Sequence, residues 1–269
     1  MNTDVTEADR HIYETELRGF LPEKVLDAHA HLFDATCLVP DARFSEKSVY
    51  RKFGGLFPYE QMLAWAAALL PDQTFAVNAF GQPSFDTDLE RAADYCGRIA
   101  DNRRCFGMAL VAPSDAVETV VDRVARNRLI GYKPYLNFVQ GKPKSDITIF
   151  DMLPEAQMAA ADERGLAITL HIPREERLAD PVNQQQMVDL CRRYPNTAII
   201  FAHIGRAYYM RNVTGFLDGI AACDNAYIDT AMVNHEGVLE YAFRHFPRER
   251  IIFGSDAPIA FLRGKSVEI

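Results

Sequence analysis

Short apolar runs alternate with amphipathic stretches from residue 25 to residue 256. Runs rich in β-branched and aromatic residues predict strands, and stretches with apolar residues at helical spacing predict helices. The predicted strands are Val25–His31, Phe75–Ala79, Cys105–Val111, Ile130–Tyr135, Leu166–His171, Ala198–His203, Ala226–Thr230 and Ile251–Asp256. The predicted helices are Tyr59–Leu70, Asp88–Ala100, Asp115–Asn127, Phe150–Glu163, Asn183–Tyr194, Thr214–Cys223 and His235–Phe246.

This alternation predicts an α/β fold, and within that class a (β/α)8 TIM barrel. Eight strands, most of them separated by a helix, in a chain of 269 residues match a barrel of about 250 residues. An open, doubly wound sheet uses the same alternation and is the alternative. No Gly-x-Gly-x-x-Gly turn follows a predicted strand, which argues against a dinucleotide-binding sheet. Residues 1–269 are expected to form a single domain.

The end of the chain departs from a regular barrel. Only 13 residues follow Asp256, and Pro258 and Gly264 are among them. A normal eighth helix therefore does not fit. Either the chain is a fragment, or another subunit or the N-terminal segment 4–17 covers the gap. We expect a homo-oligomer, namely a dimer.

Composition narrows the class of protein. The hydrophobic fraction is 48%, the charged fraction 25% and the net charge -8, which is ordinary for a globular protein and offers no basic stripe for nucleic acid. No apolar stretch approaches a membrane span, and the first seven residues are acidic, without the basic and apolar regions typical of a signal peptide. Five scattered cysteines fit a reducing compartment. We expect a cytoplasmic protein with a small-molecule substrate, and neither nucleic acid nor membrane as partner.

Polar residues end several of the apolar runs. His29 and His31 close the first run, and because residues i and i+2 of a strand share a face, both imidazoles leave it in one direction. In a barrel the carboxyl ends of all strands meet at one rim. The residues placed there are His29, His31, Lys133, His171, His203, Asp229 and Asp256. Imidazoles and a carboxylate converging in this way predict a divalent transition metal site.

The same segments resemble the amidohydrolase superfamily. The similarity is to the amidohydrolase-related (amidohydrolase 2) branch, which also contains the aminocarboxymuconate-semialdehyde decarboxylase-like enzymes. The matching motifs are Asp-Ala-His29-Ala-His31, Gly-Tyr-Lys133-Pro, Leu-His171, Phe-Ala-His203-Ile-Gly205 and Phe-Gly-Ser-Asp256-Ala-Pro258.

The resemblance implies roles for these residues. His29, His31 and His171 would be metal ligands, and Asp256 would touch the metal or its water and act as the base. His203 would polarise the substrate or shuttle a proton. The implied cofactor is one divalent ion, with zinc expected first and manganese or iron as alternatives. Asp229 is expected to support the structure or a ligand rather than to carry chemistry.

Three cationic residues are predicted to bind the substrate. Lys133 would hold a substrate carboxylate, with a carbamylated lysine bridging two metals as the alternative. Arg51 belongs to the long irregular stretch 32–58, which also carries Arg43, Lys47 and Lys52. Arg206 follows the sixth strand at the rim, together with Tyr208 and Tyr209.

The sequence supports three functional hypotheses. The first is a metal-dependent hydrolase that attacks an amide, ester or lactone carbonyl of a small, carboxylate-bearing substrate with metal-activated water. The second is a metal-dependent, non-oxidative decarboxylase of a small carboxylic acid. The third is a catalytically silent metal-binding scaffold.

Overall fold

Eight parallel strands follow one another around a barrel in chain order, β1 to β8, each paired with the next. The computed structural model describes residues 5–42, 44, 48–262 and 264. The strands are β1 Lys24–His31, β2 Thr74–Phe80, β3 Cys105–Val111, β4 Gly131–Pro134, β5 Ala167–Leu170, β6 Ala198–Phe201, β7 Ala226–Asp229 and β8 Ile251–Ile252. The prediction of a (β/α)8 barrel is confirmed.

The barrel closes where the segment after β8 meets β1. The backbone N–H of Ala28 donates to the Phe253 carbonyl at 2.9 Å, that of Asp256 to His29 at 2.8 Å, and that of His31 to Ala257 at 2.8 Å. These bonds bring the two ends of the strand order together and nearly close the barrel. They also fix Asp256 beside the end of β1, although more than 200 residues separate Asp256 from β1 in the sequence.

Helices on the outside cover the strands. They are Glu7–Ile12, Tyr59–Leu69, Leu89–Ile99, Val117–Arg126, Ile149–Met152, Glu155–Glu163, Pro181–Arg193, Met210–Val213, Asp218–Ala221 and Glu236–His245. Apolar side chains of the strands and helices form one continuous core, and burying each Leu, Ile or Phe contributes about 1.5–3 kcal/mol. No helix in the described ranges combines the length and apolar character needed to cross a membrane.

Two predicted helices are divided or shifted. The predicted helix Phe150–Glu163 is two helices, Ile149–Met152 and Glu155–Glu163, with Pro154 as the N-cap of the second. Proline lacks the backbone N–H that a continuous helix needs. The predicted helix Thr214–Cys223 is reduced to Asp218–Ala221.

Several strands end earlier than predicted. His171 follows the last residue of β5, His203 lies two residues beyond β6, and Asp256 lies beyond Ile252, where β8 ends. These functional candidates therefore stand on the loops that leave the rim, rather than on the strands themselves.

The N-terminal segment packs beside the second helix. Tyr13 is buried, and its hydroxyl contacts Asp72 and Gln73, each at 2.9 Å. A cavity of about 600 Å³ lies between β8 and helix Glu236–His245, and none of residues 5–17 lines it. A second cavity is lined by Ile12, Tyr13 and Leu17 together with Asp27 of β1 and Phe253, which follows β8. That the N-terminal segment 4–17 covers the position of an eighth helix stays a prediction. A 3-10 turn, Ile259–Leu262, follows β8.

Candidate metal centre

The end of β1 is irregular at the histidines. The register between β1 and β2 shifts between Asp27 and Ala30, and such a bulge turns side chains away from the regular alternation. The carboxylate of Asp27 is completely buried and accepts from the backbone N–H of His29 at 3.0 Å and of Ser255 at 2.9 Å. Asp27 thus holds the β1 end and the β8 loop together.

Hydrogen bonds fix which ring nitrogen of each histidine is free. His29 Nδ1 lies 2.8 Å from the Asp229 carboxylate, and His31 Nδ1 lies 2.9 Å from the carbonyl oxygen of Gly81. A carboxylate or carbonyl oxygen accepts, so Nδ1 carries the proton in both rings. The Nε2 atoms are then lone-pair donors, which is the arrangement that metal-binding histidines use.

Both lone pairs face the same carboxylate oxygen. Asp256 Oδ1 lies 3.4 Å from His29 Nε2 and 3.2 Å from His31 Nε2, and it is buried without a hydrogen-bond donor. Three acceptor atoms this close are favourable only around a proton or a cation. Ligands at about 2.0–2.2 Å from one ion in tetrahedral geometry are themselves about 3.4 Å apart. The spacing therefore fits a divalent metal.

Asp256 is ionised at neutral pH. Burial by itself raises the pKa of its carboxyl, but the contact with His31 and the neighbouring imidazoles of His29 and His203 bring it down to about 2. The His29 imidazole has a pKa well below its usual range, because burial and the charge of Lys133 disfavour the protonated ring. An anionic carboxylate beside a neutral imidazole is the protonation state that binds a cation.

A second group of ligand atoms shares His29. Its members are His29, His203 and Asp229, whose ligand atoms lie within 4.8 Å of one another. Asp229 accepts the backbone N–H of His203 at 2.7 Å, and His203 Nδ1 lies 2.8 Å from the Ala231 carbonyl oxygen. These contacts make Asp229 a support for both histidines, and they leave His203 Nε2 as an acceptor.

His203 stands in a left-handed turn. The segment Ala202–Arg206 has φ/ψ of 58°/40° at His203, 52°/46° at Ile204 and 61°/37° at Gly205. This conformation costs a non-glycine residue about 1–2 kcal/mol, and is least favourable for a β-branched one. Backbone strain of this kind is concentrated at functional sites.

His171 lies near the centre but outside the compact ligand group. Its ring centroid is 5.3 Å from that of His203 and 4.7 Å from that of Tyr135. Its Nδ1 is buried without a hydrogen-bond partner. Burial, together with the charge of Arg206, holds the pKa of His171 well below its usual range. The ring is therefore neutral and has a nitrogen available, so its role as a ligand stays a prediction.

Lys133 is completely buried next to the predicted ligands. Its Nζ lies 3.4 Å from His29 Nε2 and 4.6 Å from the centroid of the Phe80 ring. Burial lowers the pKa of this amine to about 8, against the opposing effect of Asp229 and Asp256. The amine is therefore in contact with a predicted metal ligand. A residue that only anchored the far end of a substrate would lie further from the predicted ion.

Three tyrosines pack over the imidazoles. Ring centroids are 6.2 Å apart for Tyr50 and His31, 4.7 Å for Tyr135 and His171, and 5.9 Å for Tyr208 and His203. Burial, followed by the negative charge of Asp256, raises the pKa of all three phenols. The tyrosines are therefore neutral and offer hydroxyl groups to a ligand.

The remaining predicted residues are less central. Arg51 is exposed, on the 3-10 turn Tyr50–Phe53 that also carries Tyr50. Arg43 and Lys47 lie outside the described residues. Arg206 is partly buried and donates from Nη1 to the Ile172 carbonyl at 3.0 Å. The predicted substrate-binding roles of Arg51 and Arg206 stay predictions.

The sequence analysis missed Tyr50, Tyr135 and Arg177, whose guanidinium carbon lies 4.9 Å from the centroid of the Tyr208 ring. Tyr135 was the last residue of a predicted strand and two positions from Lys133, so the rim rule applied to the histidines would have selected it. Nothing in the sequence distinguishes Arg177 from other loop arginines.

Comparison with known proteins identifies one family that this chain matches. The sequence model described as Amidohydrolase matches residues 26–265, whereas no curated protein matches. The fold is similar to amidohydrolase 2 from Bifidobacterium longum subsp. infantis, at 16% identity, a TM-score of 0.61 and coverage of 91% of this chain and 88% of that one.

Two further solved structures have the same fold. A probable 2-pyrone-4,6-dicarboxylic acid hydrolase from Acinetobacter baumannii with citric acid bound is 16% identical, with coverage of 87% and 84% and a TM-score of 0.56. A 5-carboxyvanillate decarboxylase from Novosphingobium aromaticivorans with bound manganese is 14% identical, with coverage of 89% and 88% and a TM-score of 0.56.

Proposed function

Because the chain belongs to the amidohydrolase family, we propose that it is a metal-dependent hydrolase acting on an amide, ester or lactone of a small, carboxylate-bearing substrate. The observation that carries the proposal is the meeting of His29 Nε2, His31 Nε2 and Asp256 Oδ1. Both imidazole nitrogens lie within 3.4 Å of the carboxylate oxygen, and that oxygen is buried without a hydrogen-bond partner.

His29, His31 and Asp256 would hold the ion, with His171 as a further ligand through a ring nitrogen. A bound divalent cation would lower the pKa of a water molecule and polarise a carbonyl oxygen. Zinc suits a site of imidazoles and one carboxylate, while manganese and iron are alternatives. The decarboxylase similar in fold carries manganese.

The chain's own residues supply proton transfer and orientation. Asp256, ionised at neutral pH, accepts the proton of the attacking water and passes it to the leaving group. His203, whose Nδ1 is held by the Ala231 carbonyl, directs Nε2 to the substrate and shuttles a proton. Asp229 keeps His29 in the tautomer that leaves Nε2 free.

A non-oxidative decarboxylase is the second candidate. Related folds include a decarboxylase as well as a probable hydrolase, and both act on acids by their names. The cationic residues Lys133 and Arg206 next to the histidines suit an acid substrate in either case. The two candidates share a metal site and differ in the bond that breaks.

Replacing Asp256 with Asn tests the proposed base. The wild-type protein, loaded with zinc or manganese, would first be assayed on lactones, esters, amides and small aromatic and aliphatic acids, with proton release and carbon dioxide measured in parallel. We expect hydrolysis without carbon dioxide, and a loss in kcat of about 10²–10⁴-fold in Asp256→Asn when the variant is assayed at a metal concentration that saturates it.

The exposed Asp224→Asn serves as the matched control and should keep full activity. Full turnover in Asp256→Asn would exclude this carboxylate as the base. Carbon dioxide release that depends on the metal would replace the hydrolase with the decarboxylase.

A further inference from the structure

Two arginines on neighbouring rim loops meet at one tyrosine. Arg177 follows β5 and its Cζ lies 4.9 Å from the centroid of the Tyr208 ring. Arg206 follows β6, and its charge and that of Arg177 both act on the Tyr208 phenol. The Tyr208 ring is in turn 5.9 Å from the ring of His203. Arg177 and Arg206, called here the arginine pair, therefore adjoin the candidate metal centre.

The arginine pair has donors that the protein does not satisfy. Arg177 Nε and Nη1, and Arg206 Nε, are buried without a hydrogen-bond acceptor among the described residues. A guanidinium carries five N–H donors and stays protonated. Burying a charged donor without an acceptor is costly, so these atoms point to an acceptor that the described chain does not supply.

Two other arginines, the buried Arg123 and the half-buried Arg174, do have acidic partners. Arg123 contacts Glu90 and Asp115, each at 2.8 Å, and Arg174 contacts Asp180 at 2.8 Å. Neither member of the arginine pair forms an ion pair with a carboxylate in the part of the chain that is described. Carboxylates therefore neutralise Arg123 and Arg174 but not the arginine pair. The half-buried Arg250 also lacks an acidic partner among the described residues, but it donates to the backbone carbonyls of Ala221, Cys223 and Ala226.

The two charges also act on each other and on the metal centre. Burial first, and then the charge of Arg177, lower the pKa of Arg206. The charge of Arg206 in turn contributes to the lowered pKa of His171. An anion between the two guanidinium groups would relieve this repulsion, and it would lie next to a predicted ligand of the metal.

Both arginines of the pair have a strained backbone. Arg177 has φ of 58° and Arg206 has φ of 59°, in the left-handed region that disfavours residues with a Cβ. Such conformations persist where the surrounding structure imposes them, and they are concentrated at ligand sites.

We propose that the arginine pair binds a carboxylate of the substrate, separate from the group that reacts at the metal centre. This inference rests on the proposed function and narrows it to substrates with an additional acid group. The guanidinium of Arg177 lies over the Tyr208 ring, and a guanidinium presents its N–H donors in one plane. A planar carboxylate accepts two parallel N–H bonds from such an edge. The phenol of Tyr208, whose pKa is raised to about 12 by burial, supplies a neutral hydroxyl beside it.

Anion binding to metal-free protein tests this assignment. After treatment with a chelator, the protein would be titrated with malonate, inorganic phosphate and neutral malonamide at constant ionic strength, with the thermal midpoint as the readout. We expect malonate to raise the midpoint more than phosphate, and malonamide to have no effect. Arg177→Met and Arg206→Met should each weaken malonate binding about tenfold or more.

Arg193→Met is the matched control, because Arg193 also lies over a tyrosine, at 5.4 Å from the Tyr194 ring, but is paired with Glu155. It should bind malonate as the wild type does. Arg177→Lys and Arg206→Lys keep the charge and lose the planar fork, so they report on the site even if a methionine variant folds poorly. We expect both lysine variants to bind malonate more weakly than wild type.

Zinc binding by each arginine variant separates this proposal from the metal proposal. We expect it to be unchanged. Malonate binding that depends on the arginines in a protein that takes up no metal would refute the proposed function alone. Equal malonate binding in wild type and in all arginine variants, tighter binding of phosphate, or an equal effect of malonamide would overturn the carboxylate site.

Discussion

On the β1 side of the rim, formed by Asp27, His29, His31 and Asp229, each imidazole Nδ1 has a protein partner. On the β5–β6 side, formed by His171 and the arginine pair, ring and guanidinium nitrogens are buried without one. We interpret the first side as prepared for a cation and the arginine pair of the second side as completed by a substrate, with His171 between the two as a further ligand of the ion.

The substitution Asp229→Asn should weaken metal binding on the β1 side most directly. The amide nitrogen that replaces one carboxylate oxygen is a donor, so an Asn NH2 next to His29 Nδ1 would move the ring proton to Nε2. The lone pair that faces Asp256 would then be lost. We expect metal affinity to fall by about 10–100-fold, measured by competition with a chromogenic chelator.

The control for that variant is Asp224→Asn, which is exposed. Unchanged metal affinity in Asp229→Asn, with imidazole nitrogen resonances showing the same His29 tautomer, would contradict the orienting role of Asp229.

Gly254→Ala should disturb the β1 side through packing. A Cβ at this position would lie 2.8 Å from His29 Cβ and 3.2 Å from Ala231 Cβ. Overpacking of this kind costs about 1–3 kcal/mol, and moving His29 would also weaken metal binding. Urea unfolding and the chelator competition give the two readouts.

Gly19→Ala is a control with nothing within 4 Å of the added Cβ. We expect it to be as stable as wild type. If Gly254→Ala matched that control in both measurements, the close packing behind His29 would not matter to the site.

The pH dependence of metal affinity tests the role of Lys133, at the boundary between the two sides. Below its pKa of about 8 the ammonium group repels a cation bound at His29 Nε2, and above it the neutral amine does not. In the wild type, metal affinity should therefore rise as the pH rises through about 8. The rise is roughly tenfold if the bound ion lowers the pKa of Lys133 by one unit.

The variant Lys133→Met lacks this group and should show a flatter pH profile over the same range. Titrations from pH 6.5 to 9 in a non-coordinating buffer would show it. Parallel profiles for the two proteins would mean that Lys133 does not interact with the ion. An added mass of 44 Da on Lys133 in native spectra would instead support the carbamate that the sequence left open.

Gly205→Ala is the counterpart of Gly254→Ala on the β5–β6 side, and its expected effect is the smallest of these variants. Gly205 has φ of +61°, and its added Cβ would lie 3.2 Å from Leu178 Cδ1. We expect a loss of about 1 kcal/mol in stability and weaker malonate binding, because Arg206 follows directly. Metal affinity should be retained, and its loss would show that the two sides are not separable.

The sequence predicted the rim because parallel strands bring their ends together. His29 and His31 could be paired from the period of two along β1, and Asp256 could be added from the barrel rule. The structure brings these three side chains within contact, as the 3.2 and 3.4 Å distances show.

Other features depend on contacts that no local pattern reveals. The bond between Asp229 and His29 joins residues 200 positions apart, and the orphaned nitrogens of Arg177 depend on where two loops fold. The left-handed turn was also hidden, because Ile204 disfavours it and only Gly205 favours it. By contrast, the break at Pro154 was readable, since proline interrupts a helix.

Metal titration of chelator-treated protein tests the central claim most directly. The account predicts one divalent ion per chain in wild type, an affinity at least about 100-fold lower in His31→Ala, and no change in the exposed His245→Gln. Binding of the ion with equal affinity by wild type and His31→Ala would contradict the assignment of His29, His31 and Asp256 as the metal site.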